Sequence, residues 1–120
     1  MVNIFLDTNV LFDIGVRNKK RARELFHRRL FISPLSFHIY CYSQNIKMPN
    51  KKIKKMYDFF GIINLSSKIL KQAMEGPTND LEDNIQLYSA QRADCDYFLT
   101  NDKRLLKMTF FGKTKIVSKI

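Results

Sequence analysis

The sequence predicts an α/β fold built on a central, mainly parallel sheet of four to five short strands. Three observations carry this. Short runs of large apolar residues recur at 2–6, 30–33, 62–65, 97–100 and 115–118. Stretches with helical spacing lie between them, and strands alternating with helices favour parallel pairing. Several runs stop at a residue that starts helices well, so strand, turn and helix follow within a few positions. The chain has 120 residues and no linker, repeat or low-complexity tract, so residues 1–120 read as one domain with a real core.

The first run, Val2 to Leu6, suits a strand buried on both faces. It stops at Asp7, and Thr8 and Asn9 open a helix. Residues 18–30 form an amphipathic helix, with Ala22, Leu25, Phe26 and Arg29 on one face and Lys19, Lys20, Arg23 and His27 on another. Residues 30–33 are the second strand. Pro34 then suits the first turn of a helix capped by Ser33. That helix, 34–44, is apolar nearly all round and is expected to be well buried, with His38 a satisfied core histidine. The helix over 50–60 turns Ile53, Met56, Tyr57 and Phe60 inward and keeps Lys51, Lys52, Lys54 and Lys55 elsewhere; Gly61 ends it. Residues 62–65 are the third strand. Ser66 caps a helix over 67–75, which Gly76 and Pro77 break. Asn79 or Asp80 caps the next helix, which runs to Ala93. Residues 97–100 are the fourth strand, 103–107 restart a helix, and 115–118 are expected as a last strand at the sheet edge.

Charge is the strongest compositional fact. Lys and Arg number 21 against 11 Asp and Glu, a formal charge of +10. That balance favours a polyanionic partner, nucleic acid being the usual one. A merely basic surface, or one that docks on an acidic protein, is the alternative. No apolar run approaches the roughly 20 residues that a membrane span needs. The start of the chain lacks the pattern of a secretory signal. Cys41 and Cys95 lie far apart without a CxxC or Cys/His cluster, and are expected as reduced thiols in a cytoplasmic protein.

The acids are few and unevenly placed. Asp7, Asp13, Asp80, Glu82, Asp83, Asp94, Asp96 and Asp102 stand at junctions between elements. Acids at a helix start are favourable in themselves, which accounts for Asp80, Glu82 and Asp83 without a site. Asp94 and Asp96 read as members of an exposed turn. Asp7 and Asp102 differ: each follows a short apolar strand and opens a helix. Ligands of open α/β sheets bind at such strand ends, although Asp7 could simply cap a helix. If the two strands are neighbours, the carboxylates lie side by side, and Asp83 can face the same point. Carboxylates gathered in this way repel unless a cation joins them, and hard oxygen donors suit Mg²⁺ or Mn²⁺. A carboxylate-held divalent ion beside a basic surface is a design for cleaving phosphodiesters.

Three segments carry a resemblance. Residues 6–13, LDTNVLFD, are similar to the opening of PIN-domain nucleases, whose best-known members are VapC-type ribonuclease toxins. Residues 80–90, DLEDNIQLYSA, resemble that family's acidic helix start, with an Asp, here Asp83, seven residues before a small Ala. Residues 95–102, CDYFLTND, resemble the segment that ends in a Thr-Arg-Asp or Thr-Asn-Asp motif. The segments occur in the expected order and span the chain. The resemblance implies a three-layer α/β/α fold and a metal-dependent endoribonuclease, the toxin of a toxin–antitoxin pair. It carries over Asp7, Asp83 and Asp102 as catalytic, metal-holding acids, with Mg²⁺ or Mn²⁺ as the cofactor. It implies contacts to the RNA or to water from Thr8, Asn9, Thr100 and Asn101. It also implies a homodimer and a small antitoxin whose peptide blocks the acidic pocket.

The chain departs from the family at one place. Many members carry a Glu on the helix after the second strand, close to His38 and Ile39 here, and residues 36–42 contain no acid. Glu82 or Asp80 is expected to supply the missing carboxylate. A PIN-like module that binds RNA or a protein without cutting is the competing reading. A phosphatase-like enzyme with Asp7 as nucleophile is a weaker one, since Asn9 stands where a second acid belongs.

Overall fold

The computed structural model describes residues 1–120, and the strands and helices alternate as expected. β1 (Asn3–Leu6) is followed by α1 (Thr8–Phe12), a π-helical turn (Asp13–Arg17) and α2 (Lys19–Leu25). β2 (Arg29–Ile32), α3 (Pro34–Ser43), α4 (Lys51–Phe59), β3 (Gly61–Ile62) and α5 (Ser67–Ala73) come next. α6 (Leu81–Arg92), β4 (Tyr97–Leu99), α7 (Lys103–Leu106), β5 (Phe110–Phe111) and β6 (Thr114–Val117) complete the chain. Strand order is β3-β2-β1-β4-β6-β5. All pairs are parallel except β5 with β6.

The pleat of β1 divides the core. Ile4 and Leu6 point to one face, where Val10, Leu11, Leu25, Phe37, Tyr40 and Phe60 pack. Phe5 points to the other, against Leu87, Ala90, Phe98, Leu105 and Ile116. Its ring stacks on Phe98 with centroids 5.6 Å apart. α1 to α4 therefore cover one side of the sheet and α6 and α7 the other, a three-layer α/β/α arrangement. α5 packs on α6, with Ile69, Ala73 and Ile85 buried between them. No helix is long and apolar enough to cross a membrane.

Several expectations are corrected. The sheet has six strands, not four to five, because Gly112 with a φ of +60° turns the chain into a two-stranded hairpin. β6 is therefore an inner strand, and β5 is the edge. α2 ends at Leu25, since Arg29 already belongs to β2. Phe26 is exposed and meets Phe59 edge-on, rather than facing the core. α3 is buried on one side only: Tyr42 is 81% exposed, and His38 is exposed rather than a core residue. Alternation of Phe37 and Tyr40 with His38 and Tyr42 gives that helix an inner and an outer face. Both cysteines are free.

Candidate active site

β1 and β4 lie side by side in register, with Leu6 opposite Leu99. The next residues, Asp7 and Thr100, are thus neighbours at the carboxyl ends of two central strands. Asp7 is 3% exposed. Its carboxylate accepts from the Thr8 backbone N–H at 2.8 Å and from the Thr100 hydroxyl at 2.7 Å. Thr100 in turn accepts from the Asp102 N–H at 3.0 Å. Burial pushes the Asp7 carboxyl above the usual range; the bonds from Thr100 and Thr8 oppose this, and the charges of Glu82 and Asp102 add to it.

α6 brings the second group. Asp80 is its N-cap and accepts from the Asp83 N–H at 3.0 Å. Glu82 accepts from the hydroxyl of Thr8, the first residue of α1, at 3.1 Å. The Asp83 carboxyl is pushed up to about 6, first by burial and then by the charges of Asp80, Asp7, Asp102 and Glu82. Those acids therefore share one field, although their segments lie far apart in sequence.

The third group is the start of α7. Asp102 caps that helix and accepts from the Arg104 backbone N–H at 2.8 Å. The Arg104 guanidinium stands 3.3 Å from Asp102 and 3.9 Å from Asp83, bridging two of the three motif acids. Partial burial raises the Asp102 carboxyl, but the Arg104 hydrogen bonds and charge outweigh it and hold the carboxyl below the usual range.

These donors suit a hard divalent cation in kind, since all are carboxylates that repel one another. No three acidic, histidine or cysteine side chains stand close enough to ligate one ion directly. Mg²⁺ usually takes one or two protein carboxylates and keeps several waters. The residues fit such an ion.

The remaining expected site residues divide. Thr8 and Thr100 are buried, with their hydroxyls engaged inside the protein. Asn9 is exposed. The Asn101 side chain is also exposed, but it donates to Asp13 at 2.9 Å and accepts from Arg21 at 2.6 Å. Arg21 also reaches Asp13 at 3.0 Å and the Ser118 carbonyl at 2.9 Å, tying α2 to the ends of β4 and β6. A cleft of about 520 Å³ opens beside this tie, lined by Lys20, Arg21, Asn101, Ser118 and Lys119 among others. Asp94 and Asp96 lie in an exposed turn, apart from these acids.

Two features were not anticipated from the sequence. Arg104 stands two residues beyond the Thr-Asn-Asp segment, and Gln86 stands one turn beyond Glu82 on α6. Gln86 lies four residues after an acid and between Ile85 and Leu87, a pattern that an exposed helical glutamine shares, so the sequence does not single it out.

No protein-family model matches the chain, and neither does any curated protein sequence. Solved structures do match in fold. A chain of a toxin–antitoxin complex from Klebsiella pneumoniae superposes with a TM-score of 0.73 at 19% identity, covering 98% of this chain and 99% of that one. A chain of VapBC2 from Rickettsia felis, solved bound to a promoter DNA fragment, gives 0.65 at 14% identity, covering 97% and 98%. FitAcB from Neisseria gonorrhoeae gives 0.57 at 16%, covering 82% and 87%. The chain has their fold. The α/β/α architecture that the sequence resemblance implies is the one observed.

Proposed function

We propose that this chain is a Mg²⁺- or Mn²⁺-dependent endoribonuclease, the toxin of a type II toxin–antitoxin pair, and that its natural partner is a small antitoxin. The reading is carried by one observation. Acids from three distant segments, Asp7, Glu82 with Asp83, and Asp102, lie close enough to act on one another electrostatically near the carboxyl ends of β1 and β4 in a chain of charge +10. The shared fold with chains of toxin–antitoxin complexes supports it by analogy.

Asp7, Asp83 and Asp102 would hold the ion, in part through its bound waters, with Glu82 beside them. A bound divalent ion supplies Lewis acidity at phosphate and makes a water molecule more acidic. The protein's own part is to keep the acids placed. Thr100 orients Asp7 while taking the Asp102 N–H, so the two strand-end acids are linked through one hydroxyl. Exposed lysines on α2 and α4, Lys19, Lys20, Lys51, Lys52, Lys54 and Lys55, attract RNA phosphates. Asn9, exposed beside Asp7, is placed to meet the substrate directly, whereas Thr8 and Thr100 act through the acids that they bond. Asn101 contributes by fixing the chain between Thr100 and Asp102.

The test is cleavage of single-stranded RNA with Mn²⁺, with EDTA, and with Asp7→Asn, Asp83→Asn or Asp102→Asn. Cleavage is expected to need the metal and all three acids. Activity that survives EDTA and the substitutions would sink the mechanism. A non-cutting RNA- or protein-binding module is the second reading, favoured by the absence of an α3 acid and of three converging ligands. RNA binding without Mn²⁺ uptake at millimolar concentration would support that module.

A further inference from the structure

Behind the acidic rim lies a buried polar cluster that packing alone does not require. Ser33, Ser36 and Gln86 are each 0% exposed, and Thr8 is 7% exposed. Ser33 Oγ donates to Gln86 Oε1 at 2.8 Å. Gln86 Nε2 donates to Thr8 Oγ1 at 2.9 Å and to Ser36 Oγ. Ser36 and Thr8 hydroxyls lie 3.1 Å apart, and Thr8 reaches Glu82 Oε2 at 3.1 Å. Four polar side chains from α1, the start of α3 and α6 thus converge in the interior, where an unpaired polar group is destabilising.

The direction of every bond follows from Glu82. A carboxylate only accepts, so Thr8 must donate its hydroxyl proton to it. Thr8 Oγ1 is then left as an acceptor, which the Gln86 amide N–H satisfies. That turns Gln86 Oε1 toward Ser33, whose hydroxyl donates. Ser33 Oγ keeps a lone pair for the Ser36 backbone N–H at 3.2 Å, the N-cap bond of α3. The cluster is satisfied only as a set, with the Glu82 carboxylate as its outer terminus.

We infer that Gln86 is a positioning residue: through Thr8 it holds Glu82 at the acidic rim as the carboxylate that α3 does not supply. α3 offers this region a serine hydroxyl, Ser36, and no acid. The relay hands the carboxylate's role to α6, one turn before Gln86 itself. Asp80 is the other acid within reach, but it is exposed and engaged as the α6 cap. This inference rests on reading the rim as a metal site.

The experiment is a double-mutant cycle in Mn²⁺ affinity, measured by calorimetry on the full chain, with no activity readout needed. Glu82→Gln, which removes the carboxylate, and Gln86→Met, which removes its positioning partner, are each expected to weaken Mn²⁺ binding by about tenfold. The double variant should bind no more weakly than Glu82→Gln alone, because Gln86 acts through Glu82. A merely structural Gln86 would multiply the two losses, to about a hundredfold, and that result overturns the inference. Thermal melts check folding. If Gln86→Met does not fold, Thr8→Val takes its place in the cycle, and Thr8→Ser should restore the affinity that valine loses. Wild-type affinity in Glu82→Gln overturns the inference and leaves the metal reading standing. A wild-type chain that takes up no Mn²⁺ overturns both.

Discussion

Replacing Asp83 with Asn should stabilise this chain near neutral pH while disabling its proposed chemistry. The carboxyl of Asp83 is pushed up from 3.8 to about 6, first by burial and then by the surrounding acids. The sign follows from linkage. A carboxyl whose folded-state pKa is raised binds its proton more tightly in the native state, so stability is greatest below about pH 4. It falls as pH rises toward 6 and stays low above that. At about 1.4 kcal/mol per pH unit, the gap between 3.8 and about 6 has an upper bound of about 3 kcal/mol. Water at the rim screens the neighbouring charges, so about 1–2 kcal/mol is expected. That corresponds to a Tm rise of about 3–8 °C at pH 7.5 for a chain of this size. The assay is thermal unfolding followed by circular dichroism at pH 4 and pH 7.5, in EDTA. The gain should shrink to a small fraction at the lower pH, where Asp83 in the folded chain is neutral and only its unfolded form is partly ionised. Adding Mn²⁺ should raise Tm for the wild type more than for the variant. A variant that is destabilised by the same amount at both pH values would show that Asp83 bears no charge strain.

Three further outcomes follow from the packing and the charge. Arg21→Ala should cost about 2 kcal/mol, because it leaves Asp13, Asn101 and the Ser118 carbonyl short of a partner; a urea titration showing less than about 0.5 kcal/mol would disprove the tie. Phe98→Ala should cost about 3–5 kcal/mol in the same titration, since its ring is fully buried against Phe5. Changing Lys51, Lys52, Lys54 and Lys55 together to Ala should weaken RNA binding and flatten its salt dependence by about 0.7 for each phosphate no longer neutralised. An unchanged salt slope would move the RNA footprint off α4.

Most of this architecture is legible in the sequence. Apolar runs ending at Asp7 and Thr100 mark two strands whose ends carry the candidate site, and the observed pairing of β1 with β4 sets those ends side by side. The edge hairpin escaped because Phe110–Phe111 is a two-residue strand, too short to show a period of two. The outer face of α3 escaped because tyrosine and isoleucine count as apolar in a pattern while Tyr42 stands in water. Among the candidate site residues, the acids stand out in the sequence because they break apolar patterns at element ends. Gln86 was not: in a helix, a buried amide looks like any surface polar residue until its partners from α1 and α3 arrive. Arg104 escaped because nothing in its neighbourhood separates a bridging arginine from a solvated one. The internal bonds of Thr100 and Asn101 were not legible either, since a hydroxyl or amide beside an acid can bond the acid as readily as a substrate.

The place of β1 in the sheet gives the rim two different mobilities. β1 is paired on both sides, and the Asp7 N–H itself donates to the Leu99 carbonyl at 3.0 Å. Its amide should exchange with deuterium only when the whole domain opens. Asp83 instead sits in the first turn of α6, where fraying needs far less free energy, while Asp102 is tied to Asp7 through Thr100. Asp7 and Asp102 are thus anchored to the central strands, and Asp83 is the acid with room to adjust toward them. An incoming ligand would meet a fixed wall at Asp7 and a compliant one opposite.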